Sequence, residues 1–180
     1  MAAGLAYKEA GNAAFKAGET ARALGQYARV QGCVGGLEAP AALTGVPAIG
    51  MLAAGLRDRP PPPSGAQLAA LHALLDSVSL NSAACYARPG PTQNWQRVYE
   101  CADRVLARDP RSAKALFRRG QALLQYGETD RAIEDLSGAH SLLPADGAIG
   151  ALLAQARRAV ADKNAQDERR MRAQFANMFK

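Results

Sequence analysis

Apolar residues recur at helical spacing through most of this 180-residue chain, with polar residues between them. From residue 67 onward, for example, apolar residues three or four positions apart form one helix face: Leu68, Leu71, Leu74, Leu75 and Val78. Segments in which Val, Ile, Thr or Tyr alternate with polar residues are missing, so strands have almost no support. The pattern predicts an all-α fold.

The clearest unit is a segment of 34 residues, 113–146, with the pattern of two helices joined by a turn. It places large, small and turn-forming residues at the spacings of a helical repeat: Leu116, Gly120, Leu123, Ala132, Leu136 and Pro144. Ser112, directly before it, is expected to cap its first helix. Since one such unit cannot bury its apolar face alone, further copies are expected.

A second copy precedes it and spans about residues 65–110. Its first helix is expected over about 65–88 and its second from Trp95 to Ala107. Pro89 and Pro91 predict a turn between them, because proline is not tolerated inside a helix.

The first copy, about residues 4–31, has the weakest match, with Gly18 marking its turn. A Gly-, Ala- and Pro-rich segment, about 32–64, is predicted to be an insertion or a mobile linker. A last helix, about 147–179, has an apolar stripe that can cover the third repeat. We therefore predict one domain of seven helices, in which three repeats and a capping helix form a right-handed superhelix.

The net charge of +6 favours an acidic partner, although charge alone would also suit nucleic acid or an anionic membrane face. An RNA-binding signature and interleaved aromatic residues are missing, so nucleic acid is not the expected partner. The longest apolar stretch, Pro40–Leu56, is interrupted by Pro47 and is too short for a membrane helix. No membrane partner is expected.

Three scattered cysteines without a CxxC pair indicate a reducing compartment and no zinc site. The first residues lack an export signal, so a cytoplasmic location is predicted, and a nuclear one stays open. His72 and His140 have no Ser, Cys or Asp arrangement around them that would form a nucleophilic site. We expect no cofactor and no catalytic residue.

Polar residues in the first helices of the repeats suggest an anion-binding groove. Lys8 and Asn12 are four residues apart, as are Lys114 and Arg118, so each pair shares a helix face. Asn81 occupies in the second repeat the position that Arg118 has in the third. Because first helices line the concave surface of a repeat array, all five are expected to converge on one groove.

Three segments carry a more specific resemblance: Lys-Glu-Ala-Gly-Asn at 8–12, Leu-Asn-Ser-Ala-Ala-Cys-Tyr at 80–86, and Lys-Ala-Leu-Phe-Arg-Arg-Gly-Gln-Ala at 114–122. Together they resemble the carboxylate-clamp tetratricopeptide repeat (TPR) domain of chaperone-binding immunophilins and related co-chaperones. The segment from Asn94 to Leu106 is also similar to the stand-alone tetratricopeptide repeat protein 9 family.

The resemblance implies that these five residues hold the C-terminal Asp of the EEVD tail of the ninety- or seventy-kilodalton heat-shock chaperones. Lys8, Asn12 and Asn81 would take the main-chain carboxylate, and Lys114 and Arg118 the side-chain carboxylate or nearby backbone. A terminal Asp offers two carboxylates to such donors, whereas an internal Asp offers one.

Two alternatives stay open for the function of this expected non-enzymatic adaptor. The chain could be the TPR portion of a prolyl isomerase system, without a catalytic domain of its own. The resemblance to immunophilins could then lead to its being classified as an isomerase. It could also be a general scaffold that binds an internal motif. The basic C-terminal helix is either a solvated surface or a calmodulin-like target anchored by Met171, Phe175 and Phe179.

Overall fold

The computed structural model describes residues 2–34 and 64–178, and within them it contains seven α-helices and no strand. The helices are α1 (Ala2–Lys16), α2 (Thr20–Val34), α3 (Gly65–Ala87), α4 (Trp95–Leu106), α5 (Ala113–Gln125), α6 (Thr129–Leu142) and α7 (Gly147–Met178). The prediction of an all-α repeat fold is confirmed. The Gly- and Pro-rich insertion and the stretch Pro40–Leu56 fall almost entirely outside the described residues.

The chain divides into two compact units, residues 1–78 and 79–180, and the division falls inside α3. In the first unit α1 and α2 form a hairpin whose turn contains Gly18 with φ +84°, as the sequence predicts. A left-handed φ of this kind is easily adopted by glycine. A Cβ atom built at Gly4 would lie 3.4 Å from Leu74 and 3.7 Å from Val30, so α1 and α2 meet the first half of α3 there.

Helix α2 ends at Val34, three residues beyond the predicted end of the first repeat. The extension has a packing cause, because Val30 and Val34, one turn apart, are both fully buried. Burial of a Val side chain contributes about 1.5 to 3 kcal/mol, enough to offset the low helix propensity of Gly32 beside it.

In the second unit, α4 begins after Asn94, whose side-chain oxygen accepts a hydrogen bond from the backbone N–H of Arg97 at 3.0 Å. Trp95 packs at the start of α4 against a buried cluster that includes Cys101. Ser112 stands at the N-cap position of α5, but its side chain makes no capping hydrogen bond. The predicted position of the N-cap is therefore confirmed, but the expected capping hydrogen bond from Ser112 is not observed.

The first and third repeats share one packing arrangement between their two helices. Gly11 lies against Tyr27 in the first, and Gly120 lies against Leu136 in the third. In both pairs a glycine of the first helix contacts a large buried side chain of the second, sixteen positions later. The repeat spacing inferred from the sequence therefore corresponds to a repeated contact.

Helix α7 covers the third repeat with its first half, as predicted. Leu153 and Ala156 are buried in one cluster with Leu136 of α6. Further along the same helix, Met171 and Phe175 are 52% and 60% exposed. The apolar stripe of α7 therefore continues beyond the part that the repeat array covers.

Among the described residues, α3 is long and apolar enough, by length and composition, to cross a membrane. In its most apolar stretch of 18 residues, 44% is buried within the protein, and core helices of soluble proteins have the same length and composition.

A candidate carboxylate-binding site

Lys8 and Asn12 lie one turn apart on α1, and both side chains are half-buried. The Oδ1 atom of Asn12 accepts a hydrogen bond from the hydroxyl of Tyr27 at 2.9 Å. Since that bond uses the oxygen side of the amide, the group that Asn12 can offer to a carboxylate is its N–H₂. The first unit thus supplies an ammonium group and an amide donor on neighbouring turns.

Arg118 on α5 has a half-buried guanidinium in the second unit. Its Nη1 donates a hydrogen bond to Oε1 of Gln121 at 2.8 Å, and its guanidinium carbon lies 5.5 Å from the centroid of the Phe117 ring. Burial lowers the pKa of this arginine, with the thiol of Cys85 acting the other way. A partly desolvated cation interacts more strongly with an incoming anion than one in bulk water.

The charge of Arg118 also reaches α3. Burial raises the pKa of the Cys85 thiol from 9.0 to about 11, while Arg88 and Arg118 act to lower it. Helices α3 and α5 pack together, since Ala83 and Ala122 lie in one buried cluster. Arg118 thus acts electrostatically on Cys85 of α3, and the half-buried Asn81 is one turn earlier than Cys85 on that helix.

Lys114 is exposed in the first turn of α5, one turn before Arg118. The structure thus packs α5, which carries Lys114 and Arg118, against α3, which carries Asn81. Lys8 and Asn12 belong to the other unit. The single groove expected for all five residues stays a prediction.

Sequence reasoning missed the partners of Arg119, a charge at a position where the repeat pattern has an apolar residue. Its guanidinium binds both carboxylate oxygens of Asp135, with Nε–Oδ2 2.8 Å and Nη2–Oδ1 2.9 Å. Nη1 also donates to Oδ1 of Asp103 at 2.9 Å. The hydrogen bonds to Asp135, and after them the single bond to Asp103, raise the pKa of Arg119. A signal was present, because Arg119 and Asp135 have the same separation as Gly120 and Leu136.

The described residues contain no group of three or more His, Cys, Asp or Glu side chains that could hold a metal ion. The Nδ1 atom of His140 is buried without a hydrogen-bond partner near the backbone of Gly150. His140 and His72 belong to different units.

No family model matches this chain. It is 38% identical over 81 residues to outer envelope protein 61 of Arabidopsis thaliana, and these cover 45% of this chain and 14% of that protein. It is 41% identical over 69 residues to tetratricopeptide repeat protein 9C of Xenopus tropicalis, covering 38% of each. The chain therefore matches well under half the length of either relative.

Two solved structures have a similar fold. The C-terminal TPR-containing domain of a putative FK506-binding protein of Plasmodium falciparum aligns with a TM-score of 0.69 and 21% identity, covering 91% of both chains. The first TPR domain of Spaghetti (RPAP3), bound to the HSP90 peptide SRMEEVD, aligns with a TM-score of 0.61 and 18% identity, covering 88% of this chain and 94% of that one. The chain thus has the tetratricopeptide repeat fold and is similar, over part of its length, to tetratricopeptide repeat protein 9C.

Proposed function

We propose that this protein is a non-catalytic adaptor that binds the EEVD-type C-terminal tail of a heat-shock chaperone. The observation that carries the proposal is the half-buried guanidinium of Arg118, which follows Lys114 by one turn on α5. Helix α5 packs on α3, the helix that carries Asn81, through Ala122 and Ala83. The peptide class is supported by a protein of similar fold that binds an HSP90 peptide ending in EEVD.

The ligand chemistry matches the donors. A terminal Asp carries a main-chain and a side-chain carboxylate, each able to accept several hydrogen bonds. We assign Lys8, Asn12 and Asn81 to the main-chain carboxylate, and Lys114 and Arg118 to the side-chain carboxylate or the backbone next to it. The N–H₂ of Asn12 has the required donor character, because Tyr27 binds the oxygen of the same amide.

The affinity for a short peptide should be about micromolar. Each charge-assisted hydrogen bond contributes roughly 1.5 to 3 kcal/mol, but ordering a flexible tail costs about 2 to 5 kcal/mol or more. The remaining free energy, on the order of 8 kcal/mol, corresponds to a Kd near 1 µM.

Isothermal titration calorimetry with a peptide ending in EEVD, and with the same peptide amidated at its C-terminus, tests this function. We expect the free acid to bind and the amide to lose most of its affinity, since amidation removes one of the two carboxylates and its charge. Equal binding of both peptides would favour a scaffold that recognises an internal motif. If neither peptide binds, the chaperone-tail assignment is wrong.

The proposed activity is binding alone. A prolyl isomerase assay on the purified chain should therefore give the uncatalysed rate, and a rate above it would support the isomerase alternative. We propose a cytoplasmic location, where a chaperone tail is accessible to such an adaptor. Imaging of the tagged protein tests this, and a purely luminal signal would contradict it.

A further inference from the structure

The hydroxyl of Tyr27 is the polar end of an otherwise apolar contact between α2 and α1. Tyr27 is 1% exposed, and its hydroxyl donates to Oδ1 of Asn12 at 2.9 Å. A buried phenol needs such a partner, because an unsatisfied buried hydroxyl is costly. Both residues belong to the first unit, so the contact is internal to it.

The ring of Tyr27 is held firmly in place by the backbone next to Asn12. A Cβ atom built at Gly11 would lie 2.4 Å from Cε1 and 2.7 Å from Cδ1 of the ring. The ring therefore occupies the space that any side chain at residue 11 would need. Close packing on this glycine leaves the hydroxyl at a fixed position relative to α1.

We propose that Tyr27 is a positioning residue for the carboxylate site: its hydroxyl holds the oxygen of Asn12 and so turns the N–H₂ of that amide to the ligand. This inference rests on the proposed function. The oxygen and nitrogen of an amide are similar in size but opposite in polarity. An amide rotated by half a turn would present its oxygen to the ligand carboxylate and repel it.

The bond to Tyr27 also strengthens Asn12 as a donor. In the chain from Tyr27 hydroxyl to Asn12 oxygen, and from Asn12 nitrogen to ligand carboxylate, each hydrogen bond polarises the next. The hydroxyl therefore acts on a ligand that it does not touch.

A double-mutant cycle tests this role. Tyr27→Phe keeps the ring on Gly11 and removes the hydroxyl, and it should weaken binding of a peptide ending in EEVD roughly 3- to 10-fold. Asn12→Ala should weaken it at least as much, and the double variant should bind like Asn12→Ala alone. Additive losses would mean that Tyr27 acts independently of Asn12 and would overturn the inference. Tyr126→Phe, which removes the hydroxyl bonded to Gln96, is the matched control and should leave the affinity unchanged.

Asn12→Asp provides a second test that does not depend on a change at Tyr27. The carboxylate can still accept the Tyr27 hydroxyl, so the melting temperature should stay close to that of the wild type. Because the donor is replaced by a negative charge, peptide affinity should fall further than in Asn12→Ala. Affinity equal to that of Asn12→Ala, or higher, would contradict the assigned orientation.

The outcomes separate this inference from the proposed function. A wild-type protein that does not bind the free-acid peptide overturns the function. A wild-type protein that binds, with Tyr27→Phe unchanged, overturns only the role of Tyr27. In the unliganded protein, NMR relaxation of the Asn12 side-chain amide should show greater mobility in Tyr27→Phe, and equal mobility in both proteins would contradict the positioning role even without a ligand.

Discussion

The guanidinium of Arg119 forms a bidentate ion pair with the carboxylate of Asp135, with Nε–Oδ2 at 2.8 Å and Nη2–Oδ1 at 2.9 Å. Asp135 is 8% exposed, so water hardly reaches its carboxylate and the charge is stabilised by Arg119 instead. Asp103 binds the third nitrogen of the same guanidinium, so that α4, α5 and α6 are joined at one side chain. The repeat pattern has an apolar residue at this position. Arg119 replaces its packing with hydrogen bonds to two carboxylates.

Removing Asp135 should destabilise the protein strongly. We expect Asp135→Ala to lower the free energy of unfolding by roughly 2 to 4 kcal/mol, because a partly buried guanidinium loses its main partner. Urea unfolding measures the change. Glu100→Ala, which breaks the exposed pair with Arg97, is the control and should cost under about 1 kcal/mol. Equal losses in the two variants would show that the Arg119 pair behaves like a surface ion pair.

Two glycine substitutions should have opposite signs. Gly11→Ala forces a methyl group against the buried ring of Tyr27 and should cost roughly 1 to 3 kcal/mol. Gly25→Ala lies inside α2 with nothing within 4 Å of the new methyl group. It should stabilise the protein by about 0.5 to 1 kcal/mol through helix propensity. Thermal melts of both variants check the prediction, and a stabilising Gly11→Ala would contradict the contact with Tyr27.

The cysteines should differ sharply in reactivity. Cys33 is exposed, whereas Cys85 is buried and has its thiol pKa raised to about 11. In the folded protein at pH 8 we expect maleimide to label Cys33 quickly and Cys85 only after unfolding, because the thiolate is the reactive form. Mass spectrometry of labelled peptides gives the answer, with urea-unfolded protein as the control. Rapid labelling of Cys85 in the folded state would contradict its burial.

The raised thiol pKa of Cys85 also predicts a loss of stability at alkaline pH. The unfolded chain, with a thiol pKa near 9.0, loses this proton before the folded protein does. The contribution is therefore complete below about pH 9 and is lost as the pH rises to about 11. Cys85→Ala should remove that part of the pH dependence in urea unfolding. An unchanged alkaline profile in this variant would assign the pH dependence to other groups.

Loss of either proposed cationic contact should weaken peptide binding. We expect Lys8→Ala and Arg118→Ala to lower the affinity for a peptide ending in EEVD about 10- to 100-fold, which is roughly 1.4 to 2.8 kcal/mol. Lys16→Ala, at the exposed end of the same helix as Lys8, should have little effect. Raising the salt concentration should weaken wild-type binding as well. Unchanged affinity in both Lys8→Ala and Arg118→Ala would leave the general scaffold as the better interpretation.

Much of the helical framework could be read from the chain. The predicted helix at about 65–88 is observed over Gly65–Ala87, and the one predicted from Trp95 to Ala107 ends one residue earlier. The turn at Gly18 was also predicted. These features depend on neighbours within a few residues, through apolar periodicity, proline and glycine, and so they are visible in a local pattern.

The candidate site was only partly predictable. The four-residue spacing within a helix selected the pairs Lys8/Asn12 and Lys114/Arg118, and repeat spacing matched Asn81 with Arg118. It did not show that Asn12 binds Tyr27, or that Arg119 binds Asp135 and Asp103. Each of these bonds joins different helices, and its existence depends on the distance and angle at which those helices pack.

The sequence by itself determined the type of fold, which is seven helical segments with the spacing of three repeats and a cap. It also placed polar and cationic side chains four residues apart in the first helices of two repeats. The tertiary structure decided which polar atoms pair, such as the hydroxyl of Tyr27 with the amide of Asn12. It also showed that α2 extends as far as Val34, with Val30 and Val34 buried. The physical reason is the separation along the chain of the residues that interact. Helix formation and repeat spacing follow from neighbours in the chain, whereas a hydrogen bond between helices forms only when packing brings its two atoms to within about 3 Å.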